Sequence, residues 1–182
     1  MKSFARMWIL ASLGALAAAG AHAADSSKSV ALVRAMRTDE IAVANAKLAF
    51  LGGNLAERFG KTSNGCVKRV PYADFTAGWA RVVDGVLTPQ EIETALAFYQ
   101  SDAGVKYVEG LLRRMRERQG KDSQLPEVPG KEDIAPAQLA KISEFSSTDL
   151  GRKFGKDFLQ SPAALAWGRE MTEQIARKCG GK

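Results

Sequence analysis

The sequence predicts an all-α fold, a single-domain bundle of about seven or eight short helices with repeated helix-corner-helix units. Apolar residues recur at helical spacing along most of the chain, and no segment alternates as a half-buried strand does. Helix starts are also well marked. Thr88-Pro89-Gln90-Glu91 combines an N-cap, a proline at the first helical position and a capping-box glutamate.

The first 23 residues have the pattern of a cleavable secretory signal peptide. Lys2 and Arg6 give a positive start, an apolar run covers 7–19, and Ala-His-Ala ends the segment. A membrane anchor is the alternative, but spanning a bilayer takes about 20 apolar residues, which exceeds this run. No later stretch is apolar enough to be a transmembrane segment. The sequence therefore predicts export to the periplasm, or secretion, of one domain covering 24–182.

Cleavage after residue 23 would remove the only histidine of the chain, His22. A protein without imidazole has no Ser-His or Cys-His nucleophile pair and no zinc site that uses histidine. We therefore expect no cofactor and no metal.

Cleavage also removes two of the 26 basic residues and none of the 20 acidic ones, so the net charge falls from +6 to +4. This mildly basic charge, together with export, argues against a nucleic-acid partner.

Two cysteines, Cys66 and Cys179, lie far apart in the sequence. In an oxidising compartment they are expected to form one disulfide. Such a bond would close a loop of more than a hundred residues and stabilise the fold by about 4 to 5 kcal/mol. A redox pair or a reactive thiol is the alternative, since basic residues flank both positions.

The periodicity places helices in two halves separated by a polar linker at about 120–133, which is rich in proline and glycine. Gly52-Gly53 is expected to weaken or bend the second helix. The predicted helices cover about 26–37, 38–59, 72–85, 88–99, 101–119, 135–146, 149–159 and 162–178.

An internal repeat relates these halves, because 88–110 aligns without gaps on 135–157 and a third, partial copy starts at Phe158. In each copy a phenylalanine ends one helix, a hydroxyl residue caps the next, a small residue allows close approach, and an aromatic residue packs back over the corner. Chance similarity between helix corners is the alternative. The corner residues are Phe98, Ser101, Gly104 and Tyr107, then Phe145, Thr148, Gly151 and Phe154, and finally Phe158, Ser161 and Trp167.

The first corner, Phe98-Tyr99-Gln100-Ser101-Asp102-Ala103-Gly104-Val105-Lys106, together with Leu87-Thr88-Pro89-Gln90-Glu91-Ile92, resembles the signature of bacterial exported proteins grouped as domain of unknown function 2059. That signature has Phe, Leu and Pro where this chain has Leu87, Ile92 and Asp102. The likeness is strong over about 20 residues and loose over 72–118. It implies an all-helical envelope protein. The family has no established activity, so the resemblance assigns no catalytic residue.

A cluster of cations near the end of the fifth helix is a candidate basic patch for an anionic envelope component. Cations also gather at helix C-termini because the helix dipole favours them there, so an exposed and functionless face is the alternative. The residues of this candidate patch are Arg113, Arg114, Arg116, Arg118 and Lys121.

Catalysis has weaker candidates, namely pairs of carboxylates and serines with a lysine as general base. Each has a local role already, as a cap, a first-turn acid or an exposed charge. The sequence therefore favours a periplasmic binding or structural protein, with another envelope protein or an anionic envelope component as partner; the alternative is a histidine-free hydrolase. The candidate catalytic residues are Glu91 with Glu93, Asp102 with Glu109, and Ser101 or Ser161.

Overall fold

The computed structural model describes residues 27–128 and 133–180, apart from the side chains of Ala56, Glu57 and Lys156. The predicted signal peptide, 1–23, lies outside these ranges. Within them the chain is helical, and extended pairing is limited to one antiparallel bridge between Thr62 and Gly180. The predicted all-α fold is confirmed.

The helices follow one another with short connections. They are α1 (27–36), α2 (Thr38–Leu51), α3 (Ala56–Phe59), α4 (Asn64–Arg69), α5 (Thr76–Val86), α6 (Pro89–Tyr99), α7 (Asp102–Gln119), α8 (Pro136–Ser147), α9 (Asp149–Arg152) and α10 (Pro162–Cys179). Two 3-10 turns, Tyr72–Phe75 and Gly120–Asp122, precede α5 and follow α7, and a π-helical turn, Lys153–Asp157, follows α9.

The predicted helix over 38–59 is wrong in its second half, because α2 ends at Leu51. Gly53 has a φ of 80°, in the left-handed region that a right-handed helix cannot contain. The two glycines therefore end the helix instead of bending it, and only the short α3 follows. The helix predicted over 72–85 likewise begins as a 3-10 turn and continues as α5 to Val86.

The described part of the predicted linker, 120–128, is not a free connection. Leu125 is only 2% exposed and belongs to the hydrophobic core. The Tyr72 hydroxyl donates to the Gln124 carbonyl, and Arg116 Nη1 donates to the Leu125 carbonyl at 2.5 Å. These contacts hold the segment against α7 and the turn before α5.

The core is closed on one side by α10, which packs along α5. The indole of Trp167 lies directly on Gly78, where a Cβ atom would be 1.8 Å from its Cζ2. Phe75 contacts the same indole, with ring centroids 6.4 Å apart. The absence of a side chain at position 78 therefore makes room for the largest residue of α10.

The corner between α6 and α7 has the predicted geometry. The Ser101 hydroxyl accepts from the Gly104 N–H at 3.2 Å and donates to the Phe98 carbonyl at 2.6 Å. It therefore caps α7 and also closes the end of α6. A Cβ at Gly104 would lie 2.1 Å from the Phe98 carbonyl oxygen, so only glycine fits.

The corner between α8 and α9 repeats this geometry. Thr148 accepts from the Gly151 N–H at 3.0 Å and donates to the Phe145 carbonyl at 2.6 Å. A Cβ at Gly151 would lie 2.0 Å from that carbonyl oxygen. The two corners also face each other, because the rings of Phe98 and Phe145 are stacked with centroids 3.8 Å apart.

The third corner shares the cap but not the close approach. Ser161 accepts from the Ala164 N–H at 3.2 Å at the start of α10. Ala164 stands where the other two corners have glycine. Its methyl group prevents the start of α10 from approaching the preceding backbone as closely as in those corners. The third copy is therefore a looser version of the motif.

The predicted disulfide is confirmed, since Cys66 on α4 is bonded to Cys179 at the end of α10, with Cα atoms 5.4 Å apart. The Ser63 N–H donates to the Cys179 carbonyl at 2.9 Å. Together with the bridge between Thr62 and Gly180, these bonds fasten the end of the chain to the loop before α4.

Replacing both cysteines by serine should lower the melting temperature while the far-UV circular dichroism stays helical. The bond closes a loop with a sequence separation of 113 and acts largely on the unfolded chain, so the loss should be about 4 to 5 kcal/mol. Wild-type protein under reducing conditions should match the variant. Two labelled thiols in unreduced, unfolded protein would contradict the bond.

Ser101→Ala should lower the free energy of unfolding in urea by about 1 kcal/mol, because the Gly104 N–H loses its acceptor. Ser101→Gly should cost only a few tenths of a kcal/mol, since glycine is a tolerated cap. An unchanged stability for Ser101→Ala would show that the cap is not structural.

Gly104→Ala should cost about 1 to 3 kcal/mol, because the added methyl group meets backbone atoms that cannot move aside. The matched control is Gly85→Ala in α5, where a Cβ has nothing within 4 Å. That change should stabilise the protein by about 0.5 to 1 kcal/mol. Equal effects of the two substitutions on urea unfolding would rule out the close backbone contact.

Candidate functional site

The best-formed cavity of the described residues lies between the α1–α2 segment and the two facing corners, and has a volume of about 240 Å³. Its walls come from both ends of the domain. It is lined by Met36, Thr38, Ile41, Ala42, Asn45, Tyr99, Tyr107, Val108, Leu111, Phe145, Ser146, Gly151, Phe154, Gly155, Phe158 and Leu159.

One wall is aromatic and is built from the corners. Tyr99 meets Phe145 and Phe154 edge to face, with ring centroids 5.6 Å apart in both pairs. Phe154 in turn contacts Phe158, at 5.4 Å between centroids. These rings fix one another's orientation, because edge-to-face pairs are favoured over parallel sandwiches.

The lining residues of α2 and α7 follow from helix periodicity. Ile41, Ala42 and Asn45 of α2 stand at positions i, i+1 and i+4, which share one face of a helix. Tyr107, Val108 and Leu111 of α7 have the same spacing. With Thr38, α2 gives the cavity four lining residues and α7 gives it three.

A π-helical turn forms the edge of the cavity. Lys153–Asp157 follows α9 and contributes Phe154 and Gly155, with Phe158 and Leu159 just after it. Leu159 is 54% exposed although it lines the cavity, so it lies at the opening. Turns of this kind are rare and occur frequently at functional sites.

The turn between α1 and α2 forms the other edge and has a strained backbone. Arg37 has a φ of 53°, the only left-handed residue other than glycine in the described ranges. Its Nε donates to Glu40 Oε2 at 2.8 Å, and buried Asp39 accepts from the Thr76 hydroxyl. Such strain persists only where the surroundings impose it, and it clusters at binding sites. Here it sets the direction of Met36 and Thr38, which line the cavity.

The lining contains no charged residue. Burial raises the pKa of Tyr99 well above its usual range, with a further increase from Tyr107, so both the hydroxyl and the cavity stay neutral. Asn45 Oδ1 accepts from Gln119 Nε2 at 2.8 Å, which leaves the Asn45 amide N–H groups as donors near the opening. The site can therefore bind a mainly apolar molecule and donate a hydrogen bond to a polar group at one end of it.

The structure brings four of the eight residues of the two glycine corners into the lining of this cavity. They are Tyr107, Phe145, Gly151 and Phe154, and Phe158 of the third copy joins them. Phe98 stacks behind Phe145, and the caps Ser101 and Thr148 hold the corners. Ser161 and Trp167 of the third copy lie elsewhere, at the start of α10 and against α5.

The structure divides the candidate basic patch into separate groups. Arg113 pairs with Glu109 at 3.5 Å, and Arg116 pairs with Glu127 at 3.4 Å. Both arginines are half-buried. Arg114, Arg118 and Lys121 are exposed.

Three of the four candidate catalytic carboxylates, Glu91, Glu93 and Glu109, are in separate ion pairs, and the fourth, Asp102, lies in the first turn of α7. Glu91 accepts from the Thr88 N–H at 2.8 Å and from Lys153 Nζ at 3.1 Å; the first bond, with help from the second, holds its pKa below the usual value. Glu93 pairs with Lys28, whereas Glu109 pairs with cations of α7. None of them lines the cavity, and the hydroxyl of Ser101 is used twice in its corner.

One buried ionisable group was not predicted. Lys47 is only 3% exposed, and its Nζ donates to the Lys68 carbonyl at 3.1 Å and lies 4.3 Å from the centroid of the Tyr72 ring. Burial lowers the pKa of this amine. The contacts join α2 to the end of α4, where the helix dipole favours a cation. The sequence did not predict the burial of Lys47, because a lysine at this position of α2 has the pattern of an ordinary exposed polar residue.

Across the described ranges, no group of three or more His, Cys, Asp or Glu side chains could hold a metal ion. None of the helices there combines the length and apolar character needed to cross a membrane. In comparisons with known proteins, no family model, no curated protein and no solved structure matches the chain.

Proposed function

We propose that this chain is a periplasmic small-molecule binding protein of the bacterial envelope, and that its ligand is an apolar molecule held in the cavity between α1–α2 and the two glycine corners. The observation that carries the proposal is the cavity itself, of about 240 Å³ and lined by uncharged, mainly apolar residues. Concave apolar sites with a few polar groups are the usual form of small-molecule sites.

The physical argument concerns the apolar side chains that line an open cavity. On the side of the cavity these side chains face solvent and lack the protein atoms that would otherwise pack against them. A bound apolar molecule would restore the missing contacts, which supports binding as the purpose of the space.

Export is the second part of the proposal. It is supported by the leader pattern over 1–23 and by the disulfide between Cys66 and Cys179, a bond typical of oxidising compartments. The signature at the first corner supports a relationship to the exported family of domain of unknown function 2059. Arg118 and Lys121 remain exposed for contact with an anionic envelope component.

The hydrolase alternative gains no support from the site. A hydrolase needs a nucleophile or a carboxylate pair facing its substrate. The cavity contains neither a carboxylate nor a lysine, and the carboxylates of α6 and α7 point into separate ion pairs.

Filling the cavity should abolish binding. Naphthalene, cyclohexanol and 1-octanol are titrated into the mature protein and followed by ligand-observed NMR. At least one should bind saturably, and Ala42→Phe should weaken it at least about tenfold, equivalent to about 1.4 kcal/mol, because the new ring occupies the ligand's space. Ala97→Phe, on an exposed position of α6 outside the cavity, is the matched control and should bind as wild type.

Two results would contradict the proposal. In the first, none of the three molecules binds saturably. In the second, binding is equal in wild type, Ala42→Phe and Ala97→Phe, which would place the molecules on the surface. Circular dichroism of the variants checks that both remain folded.

A further inference from the structure

We infer that the ligand of this cavity is a neutral aromatic molecule of one or two rings with a hydrogen-bonding group at one end, and not an acyl chain or an anion. The inference rests on the proposed function and specifies the ligand class. It depends on the volume of the cavity, the shape of its walls, and the position of its polar groups.

The volume sets the size of the ligand. A dry apolar cavity of about 150 Å³ in another protein holds one benzene molecule. The present cavity, at about 240 Å³, has room for a second fused ring but not for a long lipid chain.

The walls favour a flat ligand. Tyr99, Phe145 and Phe154 are locked edge to face and form a fixed aromatic surface. Ile41 and Val108 add aliphatic side chains to the lining. A planar ring in the cavity would contact the aromatic rings in the tilted or offset arrangements that aromatic pairs prefer. A flexible chain would lose rotational freedom on binding and gain no such contacts.

The electrostatics exclude an anion. Moving a carboxylate from water into an apolar site without a counter-charge is strongly unfavourable. The lining provides no cation, and the two arginines next to lining residues in sequence, Arg37 and Arg152, are paired with Glu40 and Asp149. The neutral form of an ionisable ligand is therefore the form that binds.

The polar end of the ligand is placed by Asn45. This residue lines the cavity yet is exposed, so it stands at the opening. Its carbonyl oxygen is held by Gln119, which orients the amide N–H groups as donors. A hydroxyl or carbonyl oxygen on the ligand would accept from Asn45 while the rings lie inside.

The test uses one ring system with three different ends, namely naphthalene, 2-naphthol and 2-naphthoate, with 1-octanol as a flexible alcohol. Isothermal titration calorimetry at neutral pH should give the tightest binding for 2-naphthol. Naphthalene should follow, and 2-naphthoate should bind at least about tenfold more weakly than 2-naphthol. 1-Octanol should also bind more weakly than 2-naphthol.

Asn45→Leu introduces an apolar side chain of similar size and removes the donor. It should reduce the affinity for 2-naphthol to that for naphthalene, whose own affinity should not fall. Asn45 is exposed, so the variant is expected to fold, and its circular dichroism is compared with that of wild type.

The outcomes separate this inference from the proposed function. Tighter binding of 1-octanol than of 2-naphthol would overturn the aromatic class, and equal or tighter binding of 2-naphthoate would overturn the neutral charge; either result leaves a small-molecule site in place. An unchanged preference for 2-naphthol in Asn45→Leu would overturn the role of Asn45. If none of the compounds binds, or if Ala42→Phe changes nothing, the proposed function fails with the inference.

Discussion

Two places where backbone meets backbone determine how α6, α7, α8 and α9 are arranged. At Gly104 and Gly151 a single added carbon atom would overlap the carbonyl oxygen of the preceding corner phenylalanine. Each cap, Ser101 or Thr148, also bonds to the carbonyl of the phenylalanine in its own corner. Each corner therefore fixes both the distance and the angle between the two helices that it joins. The direction of the helices, the contact between the corners and the position of the aromatic wall all follow from this constraint.

The same corners explain why the cavity is uncharged. Helix ends carry unpaired N–H and C=O groups that must be satisfied before they can be buried. Here the hydroxyl residues bond to those groups within the corners, and Glu91 and Lys153 form their ion pair away from the lining. The aromatic rings can then pack together without burying an unpaired backbone group of a helix end. Hydrogen bonding within the corners thus permits an uncharged cavity between helices whose exposed faces carry charges.

Features that depend on neighbouring residues could be predicted from the sequence, including the caps, the two tight corners and the helix starts. The cavity could not, because its walls come from α1, α2, α6, α7 and the α8–α9 segment, whose packing no local pattern encodes. The burial of Lys47 and of Leu125 could not be predicted for the same reason. The repeat shows the limit clearly. Ile92 and Leu139 are equivalent in sequence, yet they are 3% and 58% exposed because only Ile92 belongs to the hydrophobic core.

The stacking of Phe98 on Phe145 joins two equivalent positions of the repeat. Equivalent residues that touch each other are characteristic of an isologous contact, in which the same surface of two units meets itself. Each hairpin, α6–α7 and α8–α9, therefore buries its corner phenylalanine against that of the other. One residue later the equivalence ends: Tyr99 corresponds to Ser146, and both line the cavity. The same position of the repeat thus supplies an aromatic ring from one hairpin and a small hydroxyl residue from the other.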